Sequence, residues 1–254
     1  MYIILGTSSW LASYVPYKKT DIFHNIASLP SALKGKYLIT NEQETAGECI
    51  NFLRDNVFFH KDLMNTPAPD NYYEQINQLA ELAPVGSNKL IFTPWLYGER
   101  SPIEDNYVRG GFHNLSLQHT RKDMIRAVFE GVAFNNRWLL KYVEKSARNQ
   151  FEYISFIGGG ALSNLWSQIL ADVLQREIRQ QEKPLLVNVR GAAYLALIGL
   201  GYLSIDDITK TSKTKDVYFP KPENTKIYNV LFKEYLNIYH KNKNIYRRLN
   251  RNTA

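Results

Sequence analysis

A Gly-Gly-Gly-Ala run at residues 158–161 is the strongest candidate for a ligand site in this sequence. It follows the apolar stretch 153–157 and precedes the stretch 162–174, which is patterned as a helix. Because glycine has no side chain, backbone N–H groups and a helix N-terminus can approach a phosphate or a ribose closely at such a turn. Taken alone the run is weak evidence, since glycine clusters are common in loops and the three-glycine spacing of a Rossmann site is absent.

A second group of small residues, Gly-Thr-Ser-Ser at residues 6–9, lies between two short apolar stretches. Small polar residues suit a tight turn between two strands. The turn is either a plain hairpin connection or a cradle for phosphate, and it lacks the lysine that follows the glycines of a P-loop. Each of the two turns therefore gains meaning only from its surroundings.

Charged residues in the segment 96–111 could perform acid–base chemistry. Glu99 and Asp105 can be imagined as a carboxylate pair. Because Arg100 and Arg109 stand beside them in the sequence, we interpret both carboxylates as ion-pair partners. We assign no catalytic residue.

The histidine and cysteine residues do not predict a metal site. His113 and His119 are not accompanied by a third ligand at metal spacing, so we expect them in capping or surface roles. Cys49 is the only cysteine, which leaves no partner for a disulfide or a zinc cluster. A reducing, cytoplasmic setting is the simplest interpretation.

Composition sets broad limits on function. The 254 residues are 44% hydrophobic, enough to form a sizeable core. Thirty-one basic against 24 acidic residues give a formal charge of +7, which favours anionic partners but leaves nucleotide, nucleic acid and anionic membrane open. No run of about 18 apolar residues occurs, and the opening residues 1–5 do not resemble a signal peptide. We expect no membrane association.

The two turns must be positioned by strands before them and helices after them. Up to about residue 118, short apolar stretches alternate with turn residues; beyond it, long helical patterns dominate. The first part predicts strands at 2–5, 10–15, 36–40 and 89–95, a helix at 42–55, and a helix at 71–82 capped by Asp70. The second part predicts a helix at 121–144 opened by a Thr120–Asp123 capping box, strands at 153–157 and 178–181, and helices at 162–174, 190–201 and 223–249. We interpret residues 1–254 as one domain with an insertion at about 61–118.

Five landmarks, in order and across nearly the whole chain, resemble the C-terminal domain of the FGGY carbohydrate kinases. They are the turn at 6–10, the loop 92–102 with Asp105 and Arg109, a signature at 110–130 with Asn114 where glycine is usual, an adenosine motif at 158–172, and the small-residue helix start at 190–193. Members of the xylulokinase type are the most similar, with gluconokinase-type members close behind.

The resemblance implies an α/β fold of the actin-like ATPase type, related to ribonuclease H, in which a mixed five-stranded sheet carries helices on both faces. It also implies that ATP and Mg²⁺ bind between this domain and a second, similar one. The cofactor-binding residues it implies are Gly6, Thr7 and Ser8 as a phosphate loop, Gly159, Gly160, Ala161 and Asn164 at the adenosine, and Gly110 and Asn114 before the long helix.

In such kinases the first phosphate loop, the sugar contacts and the catalytic Asp precede the turn at 6–8, so this chain does not contain them. We therefore expect a nucleotide-binding half of a sugar kinase, directed at xylulose, that has no kinase activity alone. A catalytically silent module that binds a nucleotide or a partner protein is the alternative, and a nucleic-acid binder is a third hypothesis, motivated only by the charge. An exposed cleft wall near Trp10 and Tyr97 predicts a homodimer.

Overall fold

The computed structural model describes residues 1–64, 66–211 and 213–251. The strands in these ranges are β1 (Tyr2–Leu5), β2 (Ser9–Val15), β3 (Ala27–Pro30), β4 (Tyr37–Thr40), β5 (Ile91–Thr93), β6 (Gly111–His113), β7 (Tyr153–Ile157), β8 (Glu177–Gln181) and β9 (Thr214–Tyr218). The helices are α1 (Glu48–Phe52), α2 (Tyr72–Glu81), α3 (Arg121–Ala147), α4 (Asn164–Leu174), α5 (Val187–Gly199), α6 (Ile205–Thr211) and α7 (Pro222–Asn250). None of the helices described is long and apolar enough to cross a bilayer.

Seven of the strands form one mixed sheet in the order β3-β4-β2-β1-β7-β8-β9. β2 is antiparallel to β1 and β4, whereas β1, β7 and β8 run parallel to one another. The five central strands give the expected mixed sheet, and the fold class predicted from the sequence is confirmed. β3 and β9 extend it at its two edges, and both are antiparallel to their neighbours.

The long helix α3 lies at the centre of the core and packs on β2, β5, α2 and α4. Its N-terminus has the predicted capping box, in which the Thr120 N–H donates to Asp123 Oδ2 at 2.9 Å. At Gly131 the helix meets β5 backbone to backbone, because a Cβ there would lie 2.2 Å from the Phe92 carbonyl oxygen. This close contact fixes the position of the antiparallel pair β5–β6, which forms a second sheet of two strands.

Two of the predicted helices begin differently in the structure. The helix predicted at 42–55 begins only at Glu48 as α1 and continues as a π-helical turn at Leu53–Phe58. Its first residues stay extended, with Gln43 bridged to Ser9. The cap predicted at Asp70 is wrong, because α2 starts one residue later, after Asn71, and no side chain caps it. In the helix predicted at 42–55, backbone pairing to a distant strand thus overrides the helical pattern of the first residues.

Candidate functional site

The turns at 6–8 and 158–161 lie side by side. β1 and β7 are neighbouring parallel strands, with Ile4 paired to Ile157, so they end at the same edge of the sheet. The first turn follows β1 directly and the second follows β7. Ligands of α/β sheets bind at the carboxyl ends of the strands, where such turns meet. The structure therefore joins two weak motifs into one candidate site.

The glycines of the second turn have two distinct roles. Gly158 has a φ of +90°, and a Cβ there would lie 2.5 Å from the Leu5 carbonyl oxygen. A Cβ at Gly160 would lie 2.6 Å from Leu5 Cδ2. These two glycines are needed so that the turn can lie against the end of β1. Gly159 differs, because a Cβ there meets no protein atom within 4 Å, and it is therefore the glycine of this turn that faces open space.

The first turn is held from behind by the segment 46–48. The Gly47 N–H donates to the Gly6 carbonyl at 3.0 Å, and the N–H groups of Ala46 and Glu48 donate to the Thr7 carbonyl at 2.7 and 3.1 Å. Gly6 and Thr7 are exposed and Ser8 is partly exposed. The Gly6 N–H already donates to the Ser8 carbonyl at 2.9 Å, so this turn offers a ligand the Thr7 and Ser8 hydroxyls. A Cβ at Gly6 would meet nothing within 4 Å, so this position is also open to a ligand. Such an arrangement suits an anion.

The start of α4 completes the second turn. Ser163 is the N-cap, and its Oγ accepts a hydrogen bond from the Trp166 N–H at 2.9 Å. Ala161 is buried, and its carbonyl accepts from Gln180 Nε2 at 2.7 Å. Asn164, the first residue of α4, is exposed. Of the residues predicted at the adenosine, Gly159 and Asn164 are exposed, whereas Gly160 and Ala161 are buried and the Ala161 N–H donates to the Gly158 carbonyl at 3.2 Å.

Gly110 and Asn114 lie at the two ends of β6 and are held by other contacts. A Cβ at Gly110 would lie 2.6 Å from the Thr93 carbonyl oxygen. Asn114 has a φ of +66°, which asparagine adopts more readily than most residues, so it can replace the usual glycine. Its Nδ2 donates to the Lys89 carbonyl at 3.1 Å. Among the described residues no hydrogen bond joins either position to the two turns.

A cavity of about 330 Å³ lies at α1 and the residues that flank it. Three carboxylates line it, from Glu44, Glu48 and Asp55, together with Asn51, Phe52, Asn56, Thr45, Leu96 and Tyr97. Like charges repel, so this lining disfavours phosphate. The cavity therefore differs in its chemistry from the turns at 6–8 and 158–161. In the described residues no group of three histidine, cysteine or carboxylate residues is placed to hold a metal ion.

Glu99 is not the ion-pair partner that the sequence suggested. It is buried, and its Oε1 accepts from the N–H groups of Glu44 and Arg100 at 2.9 Å each, while Asn135 Nδ2 donates to Oε2 at 2.9 Å. The Arg100 guanidinium instead pairs with Glu42 at 2.8 Å. Burial raises the pKa of Glu99 to about 8 from its ordinary value of 4.5, although the N–H donors oppose this shift.

The Asp105 carboxylate also lacks its expected partner, Arg109. It accepts from the Tyr107 and Val108 N–H groups at 3.0 and 3.2 Å. Arg109 Nη1 donates instead to the Val108 carbonyl at 2.8 Å. The ion-pair interpretation was wrong for both carboxylates because backbone groups of the folded loop compete for them.

The unfolding free energy is expected to depend on pH through Glu99. Between pH 4.5 and about 8 an unfolded chain ionises this carboxyl while the folded chain keeps its proton, so stability falls as the pH rises, by up to about 1.4 kcal/mol per pH unit. Urea unfolding of wild type and Glu99→Gln at pH 5, 6, 7 and 8 measures this. The difference between the two proteins should change across that window. Parallel pH profiles would show that Glu99 titrates alike in both states.

Sequence reasoning missed two residues that support the site. Gly47 was placed inside a predicted helix, although an isolated glycine in a helical pattern is a signal of a packing or turn role. Gln180 was placed on a predicted strand without a role. No local pattern marks its contact with Ala161, because β8 and the turn after β7 meet only in the folded sheet.

Comparison with known proteins gives consistent matches. The sequence model described as "FGGY family of carbohydrate kinases, C-terminal domain" matches residues 1–200. A xylulose kinase of Staphylococcus epidermidis is 30% identical over 95% of this chain and 47% of its own length, and a gluconokinase of Bacillus subtilis is 26% identical over 93% and 46%. The crystal structure of ligand-bound xylulose kinase from Lactobacillus acidophilus superposes with a TM-score of 0.83 at 28% identity, covering 98% of this chain and 48% of that one. The chain thus spans about half the length of the relatives it matches.

Proposed function

Because the chain belongs to the FGGY family of carbohydrate kinases, we propose that its 254 residues form the nucleotide-binding half of an ATP-dependent sugar kinase. The proposal rests on one observation above all, the adjacency of the turns at 6–8 and 158–161 at the ends of β1 and β7. One turn offers the Thr7 and Ser8 hydroxyls, which suit phosphate, and the other presents an open glycine and the start of a helix.

The roles of individual residues follow from their surroundings. Gly6, Thr7 and Ser8 hold phosphate oxygens, and Gly159 and Asn164 lie against the adenosine. Gly160 and Ala161 are buried and support the turn, and their own contact with the nucleotide stays a prediction. The contact of Gly110 and Asn114 with the nucleotide stays a prediction.

Mg²⁺ bound to the phosphates would neutralise their charge during transfer. The cradle fits such a complex, because the open positions at Gly6 and Gly159 leave room for it and the carbonyls of Gly6 and Thr7 are turned away. This chain's own residues bind and orient the nucleotide. The described residues provide no cluster of metal ligands, so we infer that the phosphates and the other half of the kinase hold the ion.

Transfer of a phosphoryl group also needs a bound, activated sugar hydroxyl. We propose that these 254 residues bind ATP but do not phosphorylate a sugar by themselves. The substrate of the complete kinase is inferred to be xylulose, with gluconate second, because xylulose kinases and gluconokinases are among the similar relatives. We infer a cytoplasmic location, which fits the buried, unpaired Cys49. The alternative of a catalytically silent module, and the homodimer through the surface near Trp10 and Tyr97, stay predictions.

Replacement of Gly159 by valine tests the nucleotide site. The position is exposed and its Cβ meets no protein atom, so the side chain fills ligand space without crowding the fold. Calorimetric titration with Mg-ATP is expected to show binding by the wild type and a loss of at least about tenfold in affinity for Gly159→Val, since a misplaced contact costs at least ~1.4 kcal/mol.

Gly199→Ala is the matched control. Gly199 also has open space at its Cβ position, but it lies at the far end of α5, so ATP affinity should be unchanged. Thermal melting of all three proteins reports on folding. A wild type that does not bind Mg-ATP, or a Gly159→Val that binds equally well, contradicts the proposed site.

A further inference from the structure

β9 brings a lysine to the ligand edge of the sheet. This strand follows the part of the chain that the family model matches, residues 1–200, and it is antiparallel to β8, with Thr214 opposite Gln181. β8 runs parallel to β7, so its last residues and the first residues of β9 lie at the edge where the two turns meet. Lys215, the second residue of β9, is therefore placed beside the start of α4.

The Lys215 side chain contacts Asn164, the exposed first residue of α4. Its Nζ lies 3.2 Å from Asn164 Oδ1, and Gln180 Nε2 lies 3.1 Å from the same oxygen. The ammonium is also 3.5 Å from the Asp216 carboxylate, but both of these side chains are about half exposed, so this ion pair is screened by solvent.

The contacts fix which way the Asn164 amide points. The Ala161 carbonyl can only accept, so the Gln180 atom 2.7 Å from it is the donor Nε2, and Gln180 Oε1 accepts from the Tyr218 hydroxyl at 3.2 Å. The Asn164 atom beside that donor must then be its oxygen. Lys215, whose ammonium has donors and no acceptor, requires the same orientation. Asn164 Nδ2 therefore faces away from both Gln180 and Lys215.

We propose that Lys215, together with Gln180, is a positioning residue that holds the Asn164 amide with its Nδ2 directed at the nucleotide. The inference rests on the proposed nucleotide site. It adds the reason why Asn164 meets the nucleotide with a hydrogen-bond donor. Asn164 then offers hydrogen to an acceptor on the nucleoside, a purine ring nitrogen or a ribose oxygen. Without Lys215, the amide keeps one partner and can rotate.

Lys215→Met tests the proposal, since methionine keeps the length of the side chain and removes the donor. Calorimetry with Mg-ATP and with adenosine should show the same loss for both ligands, about five- to tenfold, which corresponds to one ordinary hydrogen bond of about 1–1.4 kcal/mol. Lys215→Arg should restore the affinity. Lys213→Met, a neighbouring lysine just before β9, is the matched control for lost surface charge and should bind like the wild type.

A double-mutant cycle with Asn164→Ala separates positioning from direct contact. In the Asn164→Ala background, Lys215→Met is expected to have no further effect, because there is no amide left to orient. An equal loss in both backgrounds, a loss with ATP but none with adenosine, or an unchanged affinity of Lys215→Met would each overturn the proposal. A wild type that does not bind Mg-ATP removes the proposed function itself, a result distinct from these three.

Discussion

Gly47→Ala is expected to lower the affinity for Mg-ATP by about tenfold or more, although Gly47 is not in either ligand-facing turn. Its backbone lies in the ordinary helical region, with a φ of −62°, so alanine fits the local conformation. The obstacle is the new Cβ, which would lie 2.3 Å from the Gly6 carbonyl oxygen. Relief of this contact must move the first turn outward into the space where phosphate is expected. Overpacking of this kind costs about 1–3 kcal/mol.

Calorimetric titration measures the affinity for Mg-ATP, and urea unfolding measures how far Gly47→Ala lowers the free energy of unfolding. Gly191→Ala is the control, since its Cβ meets nothing within 4 Å and alanine favours a helix over glycine by about 0.5–1 kcal/mol. That variant should bind normally and be slightly more stable. If Gly47→Ala binds Mg-ATP as the wild type does, the segment 46–48 does not position the phosphate turn.

Arg126→Met is expected to destabilise the fold by about 3–5 kcal/mol, the cost of breaking a buried ion pair by removing one partner. Arg126 and Glu130 are both buried, and Arg126 Nε donates to Glu130 Oε1 at 2.8 Å. The guanidinium also donates to the Ala83 carbonyl at 3.2 Å and lies 3.3 Å from the Tyr228 hydroxyl. Its loss leaves a buried carboxylate and a buried carbonyl without their cation.

The same cluster ties the C-terminal helix α7 to the core. The Tyr228 hydroxyl donates to Glu130 Oε1 at 2.8 Å, and the Gly86 N–H donates to that oxygen at 3.0 Å. Burial raises the pKa of Glu130, and Arg126 opposes this shift, so the variant should become relatively more stable at low pH, where the carboxyl is protonated.

Urea unfolding at pH 5 and pH 7 measures both effects. Arg100→Met is the matched control, because the Arg100 side chain is 55% exposed and solvent therefore screens its pairs with the partly buried Glu42 and Glu44. It should change stability far less than Arg126→Met. Equal losses in the two variants would mean that burial of the Arg126–Glu130 pair does not matter to the fold.

Local patterns predicted those elements whose residues are close in the sequence. The capping box at Thr120 and Asp123 correctly marked the start of α3, and the apolar stretch 153–157 became β7 with the same bounds. Both signals come from residues that are neighbours in the sequence. The capping box consists of hydrogen bonds between residues three positions apart, and the strand is a run of β-branched and aromatic side chains. The first signals a helix start, and the second signals a strand.

Residues whose role depends on distant partners were assigned less well. Glu99 was predicted to be an ion-pair partner, yet the folded loop buries it among N–H groups. β3 and β9 were missed, because each is short and becomes a strand only by pairing at the edge of an existing sheet.

The sequence by itself determined the family resemblance, the order of the motifs and the two turns that can approach a ligand without side chains in the way. Only the tertiary structure decided that these turns form one site, because the β1–β7 register brings together residues that are far apart in the chain. It also separated Gly159, which is open, from Gly158 and Gly160, which are needed against Leu5. A glycine's lack of a side chain is a local fact, but whether that space belongs to a ligand or to the protein depends on what packs beside it.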